Sequence, residues 1–260
     1  MQIPLFQVDA FADRPFAGNP AAVCPLEQWL NDARMQAIAL ENNLSETAFF
    51  VKEGDRYRLR WFTPKLEVDL CGHATLASAF VVFRHLEPAG EVVKFATRSG
   101  ELIVRRDGDL LTMDFPSRPP KRVQTPAPLA EALGKTPLET WEARDYMALF
   151  GSEEEVRSLA PDMSLLAQVG HFAVIVTAAG RGDVDFVSRF FAPASGVPED
   201  PATGSSHCTL TPYWSARLGK KRLHAMQVSS RGGELWCEDR GERVAISGRA
   251  VLVIEGRIHL

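Results

Sequence analysis

Alternation of apolar and polar residues with a period of two dominates the chain and predicts a molecule built mainly of strands. Residues 3–11 read as a strand, and Arg14-Pro-Phe-Ala-Gly-Asn-Pro20 as a loop punctuated by Gly18 and two prolines. Residues 31–42 instead carry Met35, Ile38 and Ala39 at helical spacing, with Asn42-Asn43 as a stop. Strands are predicted again at 45–51 and at Arg56-Tyr-Arg-Leu-Arg-Trp61, where basic and apolar residues alternate. A helix is predicted over 72–85. Its residues 74–83 are apolar or small on nearly every face, the mark of a helix enclosed by protein. Strands at 91–97, 101–106 and 109–115 follow, the last two joined as a hairpin through Asp107-Gly108.

Five prolines between Pro116 and Pro128 then suggest a linker. Beyond it the pattern predicts a short helix at 129–133, a strand over 140–150, and a helix capped by Ser152-Glu-Glu-Glu155. Strands follow at 171–178 and 184–192. A second enclosed helix is expected to start near Gly204 and to bend or end by Pro212, with further strands through Ile258.

The two enclosed helices sit in repeated surroundings. Arg60-x-Phe62-x-Pro64 precedes the first and Arg189-x-Phe191-x-Pro193 the second, and each is followed by a polar loop and a helix-opening glycine, Gly72 or Gly204. Arg98-Ser-Gly-Glu-Leu102 recurs as Arg231-Gly-Gly-Glu-Leu235. Two echoes in one order argue for duplication. The expected architecture is α+β: two pseudo-symmetric halves, residues 1–117 and 118–260, each a mostly antiparallel sheet around one apolar helix, the last strand crossing back.

Composition adds exclusions. The chain has 260 residues, 45% of them hydrophobic, and a net charge of -4 without a basic patch, so nucleic acid is not an expected partner. No apolar stretch approaches the length of a membrane span, and Met1-Gln-Ile-Pro leads into a strand rather than a leader, so no membrane partner and a cytoplasmic location are expected. Cys24, Cys71, Cys208 and Cys237 are scattered without zinc spacing, so no metal is expected.

Candidate chemistry gathers where the enclosed helices begin. Free N–H groups at Gly72-His73-Ala74-Thr75 and at Gly204-Ser205-Ser206 could hold an anion, and glycine permits close approach. Taken singly, each reads first as a helix opening on small polar residues; their duplication brings a shared carboxylate ligand level with that reading. The helix dipole disfavours a cation at His73, which is expected to be neutral and could pack, donate or relay a proton. Asp200 lies in Pro198-Glu-Asp-Pro201, where turn chemistry accounts for it without function. Glu46 opens an apolar run, where glutamate is depleted, and is either an exposed-face residue or a placed acid/base. A thiol nucleophile at Cys71 beside His73 is discounted, because sequence neighbours on a helix do not face each other.

Four motifs together, Phe16-x-Gly18-Asn19-Pro20, Ser45-Glu46-Thr47-Ala48-Phe49, Cys71-Gly72-His73-Ala74-Thr75 and Glu199-Asp200-Pro201-x-Thr203-Gly204-Ser205, closely resemble the phenazine biosynthesis PhzF-like family. The resemblance implies the diaminopimelate epimerase fold, with a barrel-like sheet about a central helix in each half and a cofactor-free active site between them. The family's phenazine enzyme isomerises a dihydro-hydroxyanthranilate by moving a proton between ring carbons. By the same resemblance Glu46 is the acid/base residue, supported by His73 and Asp200. The remaining motif residues Gly18, Asn19, Ser45, Gly72, Ala74, Thr203, Gly204 and Ser205 are then substrate-binding, and homodimers are expected.

Diaminopimelate epimerase uses two thiols, each before a helix-opening glycine. Here Cys71 keeps the first place and Thr203 replaces the second, and a hydroxyl is too weak an acid for that exchange. The sequence thus points to a cofactor-independent isomerase acting on a small carboxylate. An amino-acid racemase or epimerase, or a non-catalytic metabolite-binding protein, are the alternatives.

Overall fold

The computed structural model describes residues 1–260 and divides them into two compact units, Met1–Asp114 with Ser247–Leu260, and Phe115–Ile246. The boundary lies three residues before the predicted 117/118 division, and residues 247–260 belong with the first unit rather than the second.

The first unit contains β1 (Gln2–Ala10), β2 (Asn19–Leu26), α1 (Asp32–Asn42), β3 (Glu46–Glu53), β4 (Arg56–Phe62), β5 (Glu67–Val68), α2 (Gly72–Val81), β6 (Val92–Thr97), β7 (Gly100–Asp107), β8 (Leu110–Pro116) and the final strand Ala250–His259. β1 is antiparallel both to that final strand and to β2. β2 runs parallel to β3, β3 antiparallel to β4, β4 parallel to β6, and β6 antiparallel to β7. α2 packs on β1, β2, β3 and the final strand, burying every residue from His73 to Ala79. That all-round burial is why its sequence lacks a polar face. Asn31 caps α1 by accepting from the Arg34 N–H, and Asn43 ends it in the left-handed region.

Two expectations change here. β2 falls where the sequence predicts a loop at 14–20 and no strand after it, because Pro20 and Pro25 mask the apolar run of Ala21 to Cys24. The enclosed helix stops at Val81 and passes into a π turn over Val82–Leu86, closed by the Glu87 N–H donating to the Val82 carbonyl at 2.7 Å.

The second unit contains β9 (Lys121–Val123), α3 (Ala127–Leu133), β10 (Glu139–Glu142), β11 (Tyr146–Leu149), α4 (Glu153–Ser158), α5 (Met163–Leu166), β12 (Val174–Ala179), β13 (Phe186–Ala192), β14 (Val197–Asp200), a 3₁₀ turn at Gly204–Ser206 leading into α6 (His207–Leu218), β15 (Arg222–Gln227), β16 (Gly233–Asp239) and β17 (Arg243–Gly248). β10 is antiparallel to β11, β11 parallel to β12, β12 antiparallel to β13, β13 parallel to β15, and β15 antiparallel to β16. This is the same series of pairings as β1, β2, β3, β4, β6 and β7.

The predicted strand over 140–150 is a hairpin, β10 and β11, turned at 143–145. Pro212 lies inside α6 instead of ending it. A proline leaves the carbonyl four residues back without its helical donor; here that is Cys208, and its oxygen accepts the Arg118 N–H at 2.9 Å. The proline-rich run after β8 thus supplies the missing bond.

The Arg-x-Phe-x-Pro echo has a structural cause. Arg60 of β4 grips Glu67 of β5 with Nε and Nη2 at 2.7 and 2.8 Å, and Arg189 of β13 grips Glu199 of β14 at 2.7 and 3.0 Å. Each guanidinium also lies over the phenylalanine two residues on, at 5.1 Å for Phe62 and 4.9 Å for Phe191. In both units the clamp ties the return strand to the sheet just before the segment that leads to the enclosed helix.

Candidate active site

In the first unit, three separate elements bring Asn19, Glu46, Cys71 and His73 together. Asn19 is the first residue of β2, and Glu46 the first of β3. Cys71 is the N-cap of α2 and His73 its second residue. Gly18, at φ +63°, turns the chain into β2 so tightly that a Cβ there would meet the Ala10 carbonyl oxygen. Its place in the motif therefore has a steric reason of its own.

The His73 Nε2 stands 3.1 Å from Glu46 Oε2, at ion-pair distance but too poorly aligned for a good hydrogen bond. The other face of the ring is held by Asn19 Nδ2, 3.2 Å from Nδ1, and by Cys71 Sγ, 3.5 Å from the same nitrogen. The contact with Cys71 corrects the sequence argument. As N-cap, Cys71 is extended (φ −145°, ψ 111°) rather than helical, so its side chain can turn toward the ring. The His73 side chain is 8% exposed and that of Glu46 18%.

Burial opposes charge on His73, but the adjacent Cys71 and Glu46 outweigh it and hold the ring well above its ordinary pKa. Burial, reinforced by Glu46, pushes the Cys71 thiol up to about 11, so at neutral pH Cys71 brings no charge to the ring. These neighbours favour charge on His73, against the neutrality expected from the helix end alone. The half-charge of a helix end is weaker than a full carboxylate charge at 3.1 Å. A charged ring donates from both nitrogens, and a half-turn of the Asn19 amide would present Oδ1 to Nδ1.

Glu46, Cys71 and His73 each place one ligand-type atom within 4.8 Å of the others. Cys71 and Glu46, however, approach opposite nitrogens of the ring, so a single ion could not engage all three without rearrangement. Of the remaining motif residues in this unit, Ser45 is half-buried just before β3, Gly72 opens α2, and Ala74 is fully buried within it.

In the second unit, Asp200 ends β14 and its carboxylate accepts the hydroxyl of Thr203. Gln227, fully buried at the end of β15, holds both: its Oε1 accepts the Thr203 N–H at 2.8 Å, and its Nε2 donates to the Asp200 carbonyl at 2.7 Å. Gln227 had no sequence signal, because its partners lie about 25 residues earlier. Gly204 and Ser205 form the 3₁₀ turn ahead of α6. His207, the first residue of α6, is buried and donates from Nδ1 to the Thr203 carbonyl at 2.9 Å. Burial lowers its pKa to about 4.

Strand register makes the two units comparable residue by residue. Thr47 lies opposite Phe62, and Val174 opposite Phe191. With the two phenylalanines equivalent by their motif, Glu46 corresponds to Ala173. The helix starts give Cys71 for Thr203 and His73 for Ser205. The titratable pair therefore occurs in one unit only, and its counterpart is an alanine and a serine.

The description "Phenazine biosynthesis-like protein" matches residues 8–256 of the chain. A Pseudomonas aeruginosa protein named as an uncharacterized isomerase is 56% identical over 260 residues, covering all of both chains. The crystal structure of a phenazine biosynthesis protein of the PhzF family from Enterococcus faecalis has a TM-score of 0.98 and 49% identity, again over all of both chains. A hydroxyproline epimerase from Agrobacterium vitis, solved with bound trans-4-hydroxy-L-proline, has a TM-score of 0.63 at 12% identity, covering 99% of this chain and 92% of its own. That likeness concerns the fold alone, which is the α+β architecture of the epimerase-like proteins.

Proposed function

Because the chain belongs to the phenazine biosynthesis-like family, we propose that it is an isomerase that moves a proton on a small carboxylate substrate, with Glu46 as the group that takes the proton and returns it. The observation that carries this reading is the Glu46–His73 pair, 3.1 Å apart and nearly enclosed at the start of α2. Removing a proton from carbon at neutral pH needs a base shielded from water, and a cation beside the carboxylate steadies it while it is charged. His73 fills that supporting role. Asp200, fixed by Thr203 and Gln227, is the third catalytic residue in this reading, and the other motif residues bind substrate. The chemistry needs no cofactor, because one side-chain base can move a proton between two carbons of an unsaturated acid.

The two-thiol racemase reading is weaker. Cys71 is held as a thiol, pushed up to about 11, and Thr203 stands in the second thiol's place. The remaining alternative, a binding protein without activity, is separated by incubation with candidate carboxylic acids in deuterium oxide. The isomerase incorporates deuterium at a substrate carbon; a binder leaves every acid unlabelled.

A further inference from the structure

Arg144 has no place in the motifs above, yet its surroundings repeat those of Asn19. Tyr146 of β11 lies opposite Val174, and Ala22 of β2 opposite Thr47. Counting back from these equivalent residues, Arg144 falls within one position of the counterpart of Asn19. Asn19 reaches His73, the second residue of α2. Arg144 reaches Ser205, the counterpart of His73, with Nη2 at 3.4 Å from Oγ. Arg144 is thus one residue beyond the exact counterpart, and each unit still brings a side chain from beside the start of the corresponding strand, β2 or β11, to the start of its enclosed helix: an amide on an imidazole in one, a guanidinium on a hydroxyl in the other.

The guanidinium is held ready rather than consumed. Asp145, only 1% exposed, accepts from Nε at 3.0 Å and from Nη2 at 2.8 Å. Phe172 lies against its face at 4.8 Å. Nη1 makes no hydrogen bond, and the side chain remains 34% exposed. An arginine fixed along one edge and stacked on one face, with a free edge beside a hydroxyl, suits a planar anion with two oxygens.

Resting on the isomerase reading for the class of ligand alone, we propose that Arg144 is a specificity-determining residue of the second unit, and that with Ser205 it takes a planar carboxylate. The other job open to Arg144 is to neutralise buried Asp145. The two are separable, because Arg144→Gln alone strands a buried carboxylate and could unfold the unit, whereas Arg144→Gln with Asp145→Asn leaves it neutral.

The test is binding of benzoate, followed by ligand-observed NMR, with benzamide as the uncharged probe of the same shape. The unmodified protein should bind benzoate at least tenfold more tightly than benzamide. The double variant, with its fold checked by circular dichroism, should lose that preference, and Arg144→Lys should recover part of it as a point charge without the bidentate fit. Glu46→Gln should keep it, so a failure of the isomerase reading, seen in turnover, is distinct from a failure here. A folded double variant that still prefers benzoate tenfold, or an unmodified protein that does not distinguish the two probes, would overturn the assignment.

Discussion

Two histidines at equivalent ends of the two enclosed helices titrate in opposite directions, and the difference lies in what each one faces. His73 faces Glu46 and is raised well above its ordinary pKa. The ring should therefore stay protonated above pH 6.5, and Glu46→Gln should bring its midpoint down, since burial then acts without the opposing carboxylate. Nitrogen chemical shifts of a labelled ring, followed from pH 5 to 9, check this. A midpoint unmoved by the substitution would remove the pairing.

His207 faces the Thr203 carbonyl and the Ser206 hydroxyl rather than a carboxylate, and burial lowers it to about 4. The unfolded chain takes up a proton near pH 6.5 that the folded protein refuses until about 4. Stability is therefore complete above 6.5 and falls as the pH drops toward 4, by roughly 3 kcal/mol in all from this one group. Denaturant melts of the wild type and of His207→Gln at pH 7 and pH 4.5 measure it. The variant should be less stable at pH 7, because it loses a packed ring, but its loss between the two pH values should be smaller.

At the scale of elements, the Arg-x-Phe clamps hold each return strand. Arg189→Met would strand Glu199 and also remove the donor to the Val156 and Leu159 carbonyls, at 3.0 and 2.8 Å, near the end of α4. A loss of about 3 kcal/mol is expected in chemical denaturation, as for breaking one side of a largely buried pair. A surface ion pair such as Arg240 with Glu238 should give less than 1 kcal/mol when broken.

These clamps also show what could be read in advance. The Arg60 and Arg189 motifs announced the duplication, and the all-apolar runs after Gly72 and Gly204 announced the enclosed helices, because both features depend on local spacing. β2 escaped notice because prolines at 20 and 25 break the alternation of a strand. The β10–β11 hairpin escaped because Ala143-Arg144-Asp145 contains no glycine to mark its turn. The continuation of α6 through Pro212 depends on the Arg118 N–H, about 90 residues earlier in the chain. In the candidate site, Glu46 and His73 are named by the family motifs alone, and the structure places them 3.1 Å apart. Their ion pair, the Cys71 contact, Gln227 and Arg144 belong to three-dimensional neighbourhoods that no local pattern encodes.

At the scale of the whole molecule, duplication supplied two equivalent frames and the residues within them diverged. The frame that carries Glu46 and His73 has Ala173 and Ser205 as its counterparts, so the proposed base has no second copy in the other unit. No helix is long and apolar enough to cross a membrane. Homodimer formation, expected from the family, is checked by sedimentation at micromolar concentration, where a monomer mass would exclude it. The most direct test of the account compares Glu46→Gln with Cys71→Ser for deuterium incorporation into a substrate acid that the wild type labels. Glu46→Gln removes the exchangeable proton while keeping the shape of the side chain, and should lower turnover about 100-fold or more; Cys71→Ser should lower it only slightly. Near-normal labelling by Glu46→Gln together with none by Cys71→Ser would contradict the carboxylate mechanism and assign the proton to the thiol.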